Sequence, residues 1–177
     1  MFKTIGLVLL AVVVVFLGIV ALLPSEYKVT RSIDIAAPPA AVHAQINDFH
    51  NWDNWSPWAK LDPNMKTTYT GAPSGPTASY HWIGNDQVGE GRMTILESQP
   101  SQSVKIDLDF IQPFPSKSIT LFTITPAGAG SKVEWAMSGQ NSFVPKAMML
   151  LMGGMDKAVG PDFERGLAQL KAVVQKQ

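Results

Sequence analysis

The chain has no cysteine among its 177 residues. That excludes disulfides, a thiolate nucleophile and cysteine-ligated zinc. It carries no net charge either, with 14 Lys and Arg against 14 Asp and Glu. Without an excess of positive charge there is no field to draw in DNA or RNA, so nucleic acid is not an expected partner. Histidine is sparse. His43, His50 and His81 stand far apart and none belongs to an H-E-x-x-H string, so no metal site is expected. There is no nucleophile elbow and no phosphate-cradling glycine loop ending in Lys and Ser or Thr. The carboxylates fall mostly on polar faces or in turns. Asp107 and Asp109 share the face of Lys105, Glu90 lies near Arg92, and Glu134 near Lys132, a pattern of solvated, paired surface charge. No catalytic constellation and no cofactor follow from such residues.

What is present starts with an apolar run. Thr4 to Leu23 (TIGLVLLAVVVVFLGIVALL) carries no charge, with Lys3 before it and Pro24-Ser25-Glu26 after it. Crossing a bilayer's hydrocarbon core takes about 20 apolar residues in a helix. A cleaved secretory signal has a shorter core, about 7–15 residues, and a small-x-small cleavage site. Here the best site follows Ala21, but Ile19 two residues earlier is not small. The expectation is an uncleaved single-pass anchor over residues 1–25, followed by one domain over 26–177. Lys3 on one side and Lys28 with Arg31 on the other nearly balance the positive-inside count. A short basic start before an apolar core looks like a signal-anchor, which puts the domain on the extracytoplasmic (periplasmic) side of a cell membrane.

Beyond Pro24 the pattern is mostly strand. Tyr27 to Ile35 alternates, with Tyr27, Val29, Arg31, Ile33 and Ile35 on one face. Pro38-Pro39 opens a short helix to Asp48, since proline suits a helix's first turn. An aromatic loop follows, with Phe49, Trp52, Trp55 and Trp58. Strands are expected at Lys66–Thr70, Thr77–Ile83, Gly89–Ser98, Ser103–Gln112, Ser118–Thr125 and Ser131–Gly139, spaced by turns that suit an antiparallel meander. One face of each strand is apolar, so one face of the sheet is covered. Pro145 to Gln175 reads as helical, with Gly153-Gly154 and Gly160-Pro161 expected to break or kink it. Its second part has Phe163, Leu167, Leu170 and Val174 on one stripe.

Several strings, in this order, resemble the START-like (SRPBCC, Bet v 1-like) superfamily, in its polyketide cyclase/dehydrase branch. They are Trp52-Asp53-Asn54-Trp55-Ser56-Pro57-Trp58 with Asp62-Pro63, Tyr80-His81-Trp82-Ile83-Gly84-Asn85 leading to Gly89-Glu90-Gly91-Arg92-Met93, Val133-Glu134-Trp135-Ala136-Met137-Ser138-Gly139, and Asp162-Phe163-Glu164-Arg165-Gly166-Leu167. The resemblance implies an α+β helix-grip, a curved antiparallel sheet wrapped around a long C-terminal helix. It also implies a hydrophobic pocket for lipids, sterols, polyketides or similar molecules. A superfold of this kind hosts unrelated functions, so it does not name an activity.

If a cavity exists, the alternating faces nominate its walls. The sheet would supply Tyr80, Trp82, Met93, Ile95, Ile106, Leu108, Phe110, Trp135 and Met137, and the helix Met148, Met152 and Phe163. The Tyr80 hydroxyl and the indole N–H groups would orient a ligand. His81, between Tyr80 and Trp82, would then face outward. Trp52, Trp55 and Trp58 read either as a plug under the short helix or as a cavity mouth or membrane-interface belt. Met148, Met149, Met152 and Met155 read as core, as a flexible gate, or as a surface touching the membrane. Three functions compete: membrane-anchored binding of a hydrophobic small molecule or lipid, a cyclase/dehydrase-like enzyme, and an envelope interaction module with a packed core. Replacing Trp82 by Ala is expected to weaken uptake of an apolar probe. Unchanged affinity in a normally folded variant would take Trp82 off the wall.

Overall fold

The computed structural model describes residues 2–176. A long apolar helix, α1 (Phe2–Leu22), comes first, then β1 (Glu26–Ile35) and α2 (Pro39–Ile46). A 3₁₀ turn over Phe49–Asn54 leads to β2 (Lys66–Thr70), β3 (Ser79–Ile83), β4 (Glu90–Gln99), β5 (Ser103–Gln112), β6 (Ser116–Ala127) and β7 (Gly130–Gln140). The chain ends in α3 (Phe143–Leu151) and α4 (Met155–Val174). All seven strands form one antiparallel sheet in the order β1-β7-β6-β5-β4-β3-β2. β1 extends the meander by one edge strand beside β7, paired from Glu26↔Gln140 to Ile35↔Ser131. Among the described residues α1 is the one helix long and apolar enough to cross a membrane, and almost none of it is buried by the rest of the chain.

The alternation expected of the strands is the burial observed. On β5, Val104, Ile106 and Leu108 are buried while Lys105 and Asp107 are only half-buried. The third expected strand begins two residues late, at Ser79; Thr77 takes a left-handed backbone conformation (φ 74°), though its N–H still donates to the Ile95 carbonyl of β4 (2.9 Å).

Breaks or kinks are expected at two places in the C-terminal helical segment, and a break occurs at the first. Gly153 (φ 84°) and Gly154 (φ 102°) separate α3 from α4, in conformations that side-chain-bearing residues avoid. Gly160-Pro161 does not end α4, which runs through it. The reason is tertiary. Arg31 of β1 reaches across to α4 and donates from Nη1 and Nη2 to Asp156 (2.8 and 3.0 Å) and from Nε to Glu164 (2.6 Å). These acids stand one turn to each side of Gly160, and a Cβ at Gly160 would run into the guanidinium. The charge-assisted clamp therefore spans the position where proline removes a helix hydrogen bond. Lower down, Lys171 Nζ donates to the Asp34 carbonyl (2.8 Å), a second tie between the same two elements.

The core is not centred under the sheet. α2 packs on β5, β6 and β7 and on α4. Its Val42 and Ile46, with Leu167, Leu170 and Val174 of α4, join Ile35, Ile95, Val104, Ile106, Phe122, Ile124 and Val133 in one buried cluster. By register Ile35, Val133 and Ile124 lie toward the end of the sheet away from α1, and Phe122 and Val104 near its middle. The α1-proximal half of the inner face is faced by Val159 and Phe163 of α4, with no residue of α2 beside them among the described residues.

Where α4 crosses the sheet the fit is tight. A Cβ at Gly166 would stand 2.8 Å from Trp135 Cζ3 and 3.0 Å from Pro57 Cδ. Overpacking costs about 1–3 kcal/mol, against about 1 kcal/mol that alanine gains over glycine in a helix. Gly166→Ala is thus expected to lower the unfolding midpoint in detergent, and a raised midpoint would show that the contact has slack.

Candidate functional site

Inside the α1-proximal half lies a cavity of about 220 Å³. Its floor comes from the sheet: Tyr80 and Trp82 on β3, Met93 on β4, Leu108 and Phe110 on β5, Thr120 on β6, and Trp135 and Met137 on β7. Cross-strand pairing explains why these meet. Met93 stands opposite Leu108, and Trp82 opposite Gly91, in the ladders. Any Cβ at Gly91 would collide with the Trp82 ring, so the glycine is the seat on which that indole lies. The remaining walls come from Trp52, Asp53, Ser56, Trp58, Ala59 and Met65 of the loop after α2, from Gln87 and Val88 of the β3–β4 turn, and from Val159 and Phe163 of α4.

Aromatic rings hold these walls in place. Trp135 stacks on Phe163, centroids 4.1 Å apart and planes 6° apart, and Trp58 meets both edge-on at 5.9 and 6.3 Å. Tyr80 stacks on Trp82 at 5.8 Å, and Trp82 meets Phe110 edge-on at 6.2 Å. Such pairs add about 0.5–1.5 kcal/mol each beyond area burial. The tryptophan loop divides its work. Trp55, 1% exposed, is a plug against Phe122 and Trp135, while Trp52 and Trp58 reach the cavity.

The polar groups are few. Two indoles expected to be free for a ligand are already used: Trp82 Nε1 donates to the Val88 carbonyl (3.0 Å) and Trp52 Nε1 to the Ile46 carbonyl (3.0 Å). Trp135 Nε1 is buried with no partner among the described residues. Burial pushes the Tyr80 hydroxyl far above the ordinary tyrosine range, with Tyr69 and the Asp53 carboxylate adding to the shift. It therefore stays protonated and able to donate. Asp53 brings the one carboxylate among the described lining residues, and it sits exposed at the rim. His81 is turned away from Tyr80 and Trp82, with Nε2 3.1 Å from Glu90 Oε1. Among the described residues no group of three or more His, Asp or Glu is placed to hold a metal ion.

Of the twelve residues nominated from sequence, Tyr80, Trp82, Met93, Leu108, Phe110, Trp135, Met137 and Phe163 line this cavity. Ile95 and Ile106 do not. They share the inner face with Met93 and Leu108 but are sealed in the buried cluster, 1% and 0% exposed, while Thr120 and Met137 of the same cross-strand row reach the cavity. Met148 and Met152 do not either. They are 37% and 54% exposed, on and just after α3, which is set apart from α4 by the glycine pair. The loop residues were missed because irregular backbone carries no periodicity to read. Thr120 and Val159 had a signal: Thr120 alternates with Phe122 and Ile124, and Val159 lies one turn before Phe163.

A sheet gripping a C-terminal helix over an apolar cavity defines the helix-grip class. Within it, the chain belongs to the family described as polyketide cyclase/dehydrase and lipid transport, whose profile matches residues 26–175. No protein of curated function matches it. Solved structures share the fold at low identity. Protein CV1439 from Chromobacterium violaceum is 16% identical with a TM-score of 0.60, covering 84% of this chain and 98% of its own. Protein MLL2253 from Mesorhizobium loti is 19% identical with a TM-score of 0.60, covering 85% and 98%. Ara h 8.0201 is 12% identical with a TM-score of 0.60, covering 86% and 99%.

All three tyrosines, Tyr27, Tyr69 and Tyr80, are held above the ordinary range chiefly by burial. Their folded pKa values exceed the unfolded value of about 10, so the stability they contribute is present below that pH and lost above it. An alkaline titration is expected to show less than half-maximal tyrosinate absorbance at about pH 10. It should then rise together with unfolding. Half-ionisation at that pH in the folded chain would contradict the burial.

Proposed function

We propose that this protein is a membrane-anchored binding protein for a hydrophobic small molecule or lipid, which it holds without chemical change. The observation that carries this reading is the cavity walled mostly by aromatic and other apolar side chains, with the buried Tyr80 hydroxyl among its few polar groups. Apolar walls with a few polar groups suit an oily ligand with a small polar end. At about 220 Å³ the space is below the roughly 300–1,000 Å³ of pockets for drug-sized ligands, so it suits one slender chain segment or a single ring. Residues 1–25 form the single-pass anchor and residues 26–177 the binding domain, on the extracytoplasmic side. The length and exposure of α1 support the anchor.

An enzymatic reading of cyclase or dehydrase type draws on Asp53, a carboxylate on the lining within electrostatic reach of Tyr80. Its exposure argues against it as a base.

The test is native mass spectrometry of the full chain in detergent, purified from its own host, followed by denaturing extraction of whatever it carries. A stoichiometric apolar molecule is the expected result. Tyr80→Phe should then weaken its binding by roughly 2–10-fold, the worth of one net hydrogen bond. An empty protein that also refuses an apolar fluorescent probe would overturn the reading and favour a packed interaction module.

A further inference from the structure

The helix α3 has no buried residue. Phe143, Val144, Met148 and Leu151 are exposed, as is Met152 just past its end, and Leu151 is 77% exposed. At 100° per residue these five fall within one half of the helix circumference. Folded chains seldom leave so many large apolar side chains contiguous unless something covers them.

The opposite side of α3 shows what does. Lys146 donates from Nζ to the Leu23 carbonyl at 2.9 Å, and α3 packs against α1, whose Val20 is 0% exposed. Leu23 is the last residue of the apolar run, before Pro24-Ser25-Glu26. α3 is thus tied by one hydrogen bond to the point where a membrane-spanning α1 would leave the hydrocarbon. Its apolar stripe lies at the same depth.

We infer that α3 is an interfacial helix, lying along the surface of the bilayer that α1 spans with its Phe143–Met152 stripe among the lipids. This rests on the anchor reading above. Two features give it a functional sense. The cavity occupies the half of the sheet nearest α1, since Met137 and Phe110 lie toward the strand ends where Glu26 pairs with Gln140. The glycine pair joins α3 directly to α4, which carries Val159 and Phe163 on the cavity wall. The ligand class is then a lipid resident in that bilayer. The charge pattern narrows the contact further. Lys146 is the one charged side chain on α3 and is spent on the Leu23 carbonyl, so insertion is apolar and needs no anionic headgroup.

The absence of native cysteine makes a direct test available. Full-length Leu151→Cys, Val13→Cys and Leu96→Cys variants are each labelled with an environment-sensitive fluorophore and reconstituted in phosphatidylcholine vesicles containing nitroxide lipids at set depths. Leu96 is exposed on β4, toward the end of the sheet away from α1. The expected result is a blue-shifted Leu151 label quenched best by shallow nitroxides, about 5–10 Å into the headgroup boundary. The Val13 label is quenched best by deep ones and the Leu96 label by none. Added salt leaves the Leu151 signal unchanged. If the Leu151 label behaves like that at Leu96 while Val13 stays deep, the interfacial helix is refuted and the anchor stands. If Val13 is unquenched and the chain does not float with the vesicles, the anchor fails and this inference with it.

Discussion

Trp135 lying flat on Phe163 is the contact on which the rest of the domain depends. It joins the middle of the sheet to the middle of the long helix, with ring planes 6° apart. The glycine at position 166 lets the helix come this close, and Trp58 closes the corner edge-on to both rings. From that junction the interior divides. On one side helix and sheet converge with α2 into a solid core. On the other side they diverge, and no element fills the gap. A cavity is left where the helix and the twisted sheet part on the far side of that junction.

The pin is reinforced at the sheet edge. Arg31 grips Asp156 and Glu164, and Lys171 reaches the Asp34 carbonyl, so both halves of α4 are tied to β1. Exposed ion pairs contribute little to stability on their own. Their service here is register: they set which turn of the helix stands over which strand. They also flank Pro161, a residue that kinks or breaks helices, on both sides. With the helix so placed, Val159 and Phe163 face the cavity, and α3 branches away from it toward the end of α1.

Much of the site was legible as alternation. Trp82, Met93, Leu108, Phe110 and Met137 could be assigned to the inner face because strand side chains change sides at every residue. The same rule nominated Ile95 and Ile106, and there it overreached. Periodicity tells which face a residue is on but not how far along the strand another element covers that face. Met148 and Met152 were misplaced for a related reason. Their helical spacing was sound, but the glycine pair sends α3 off in its own direction, and no local pattern encodes that angle. The tryptophan loop could be read either as plug or as mouth, and it is both, since Trp55 is sealed while Trp52 and Trp58 reach the space.

The sequence alone determined the apolar first helix, the six-strand meander with its covered face, the helical C-terminus and the family. Each of these is written in local terms: run length, period and ordered strings. Only the tertiary structure decided that the cavity lies in the α1-proximal half, that Trp82 and Trp52 have already spent their indole donors, and that α4 survives its proline. It also decided that α3 is left bare beside the end of α1. These depend on where elements distant in sequence come to rest, and that is set by long-range contacts such as Arg31 with Glu164 and Lys146 with Leu23, which no window of neighbouring residues contains.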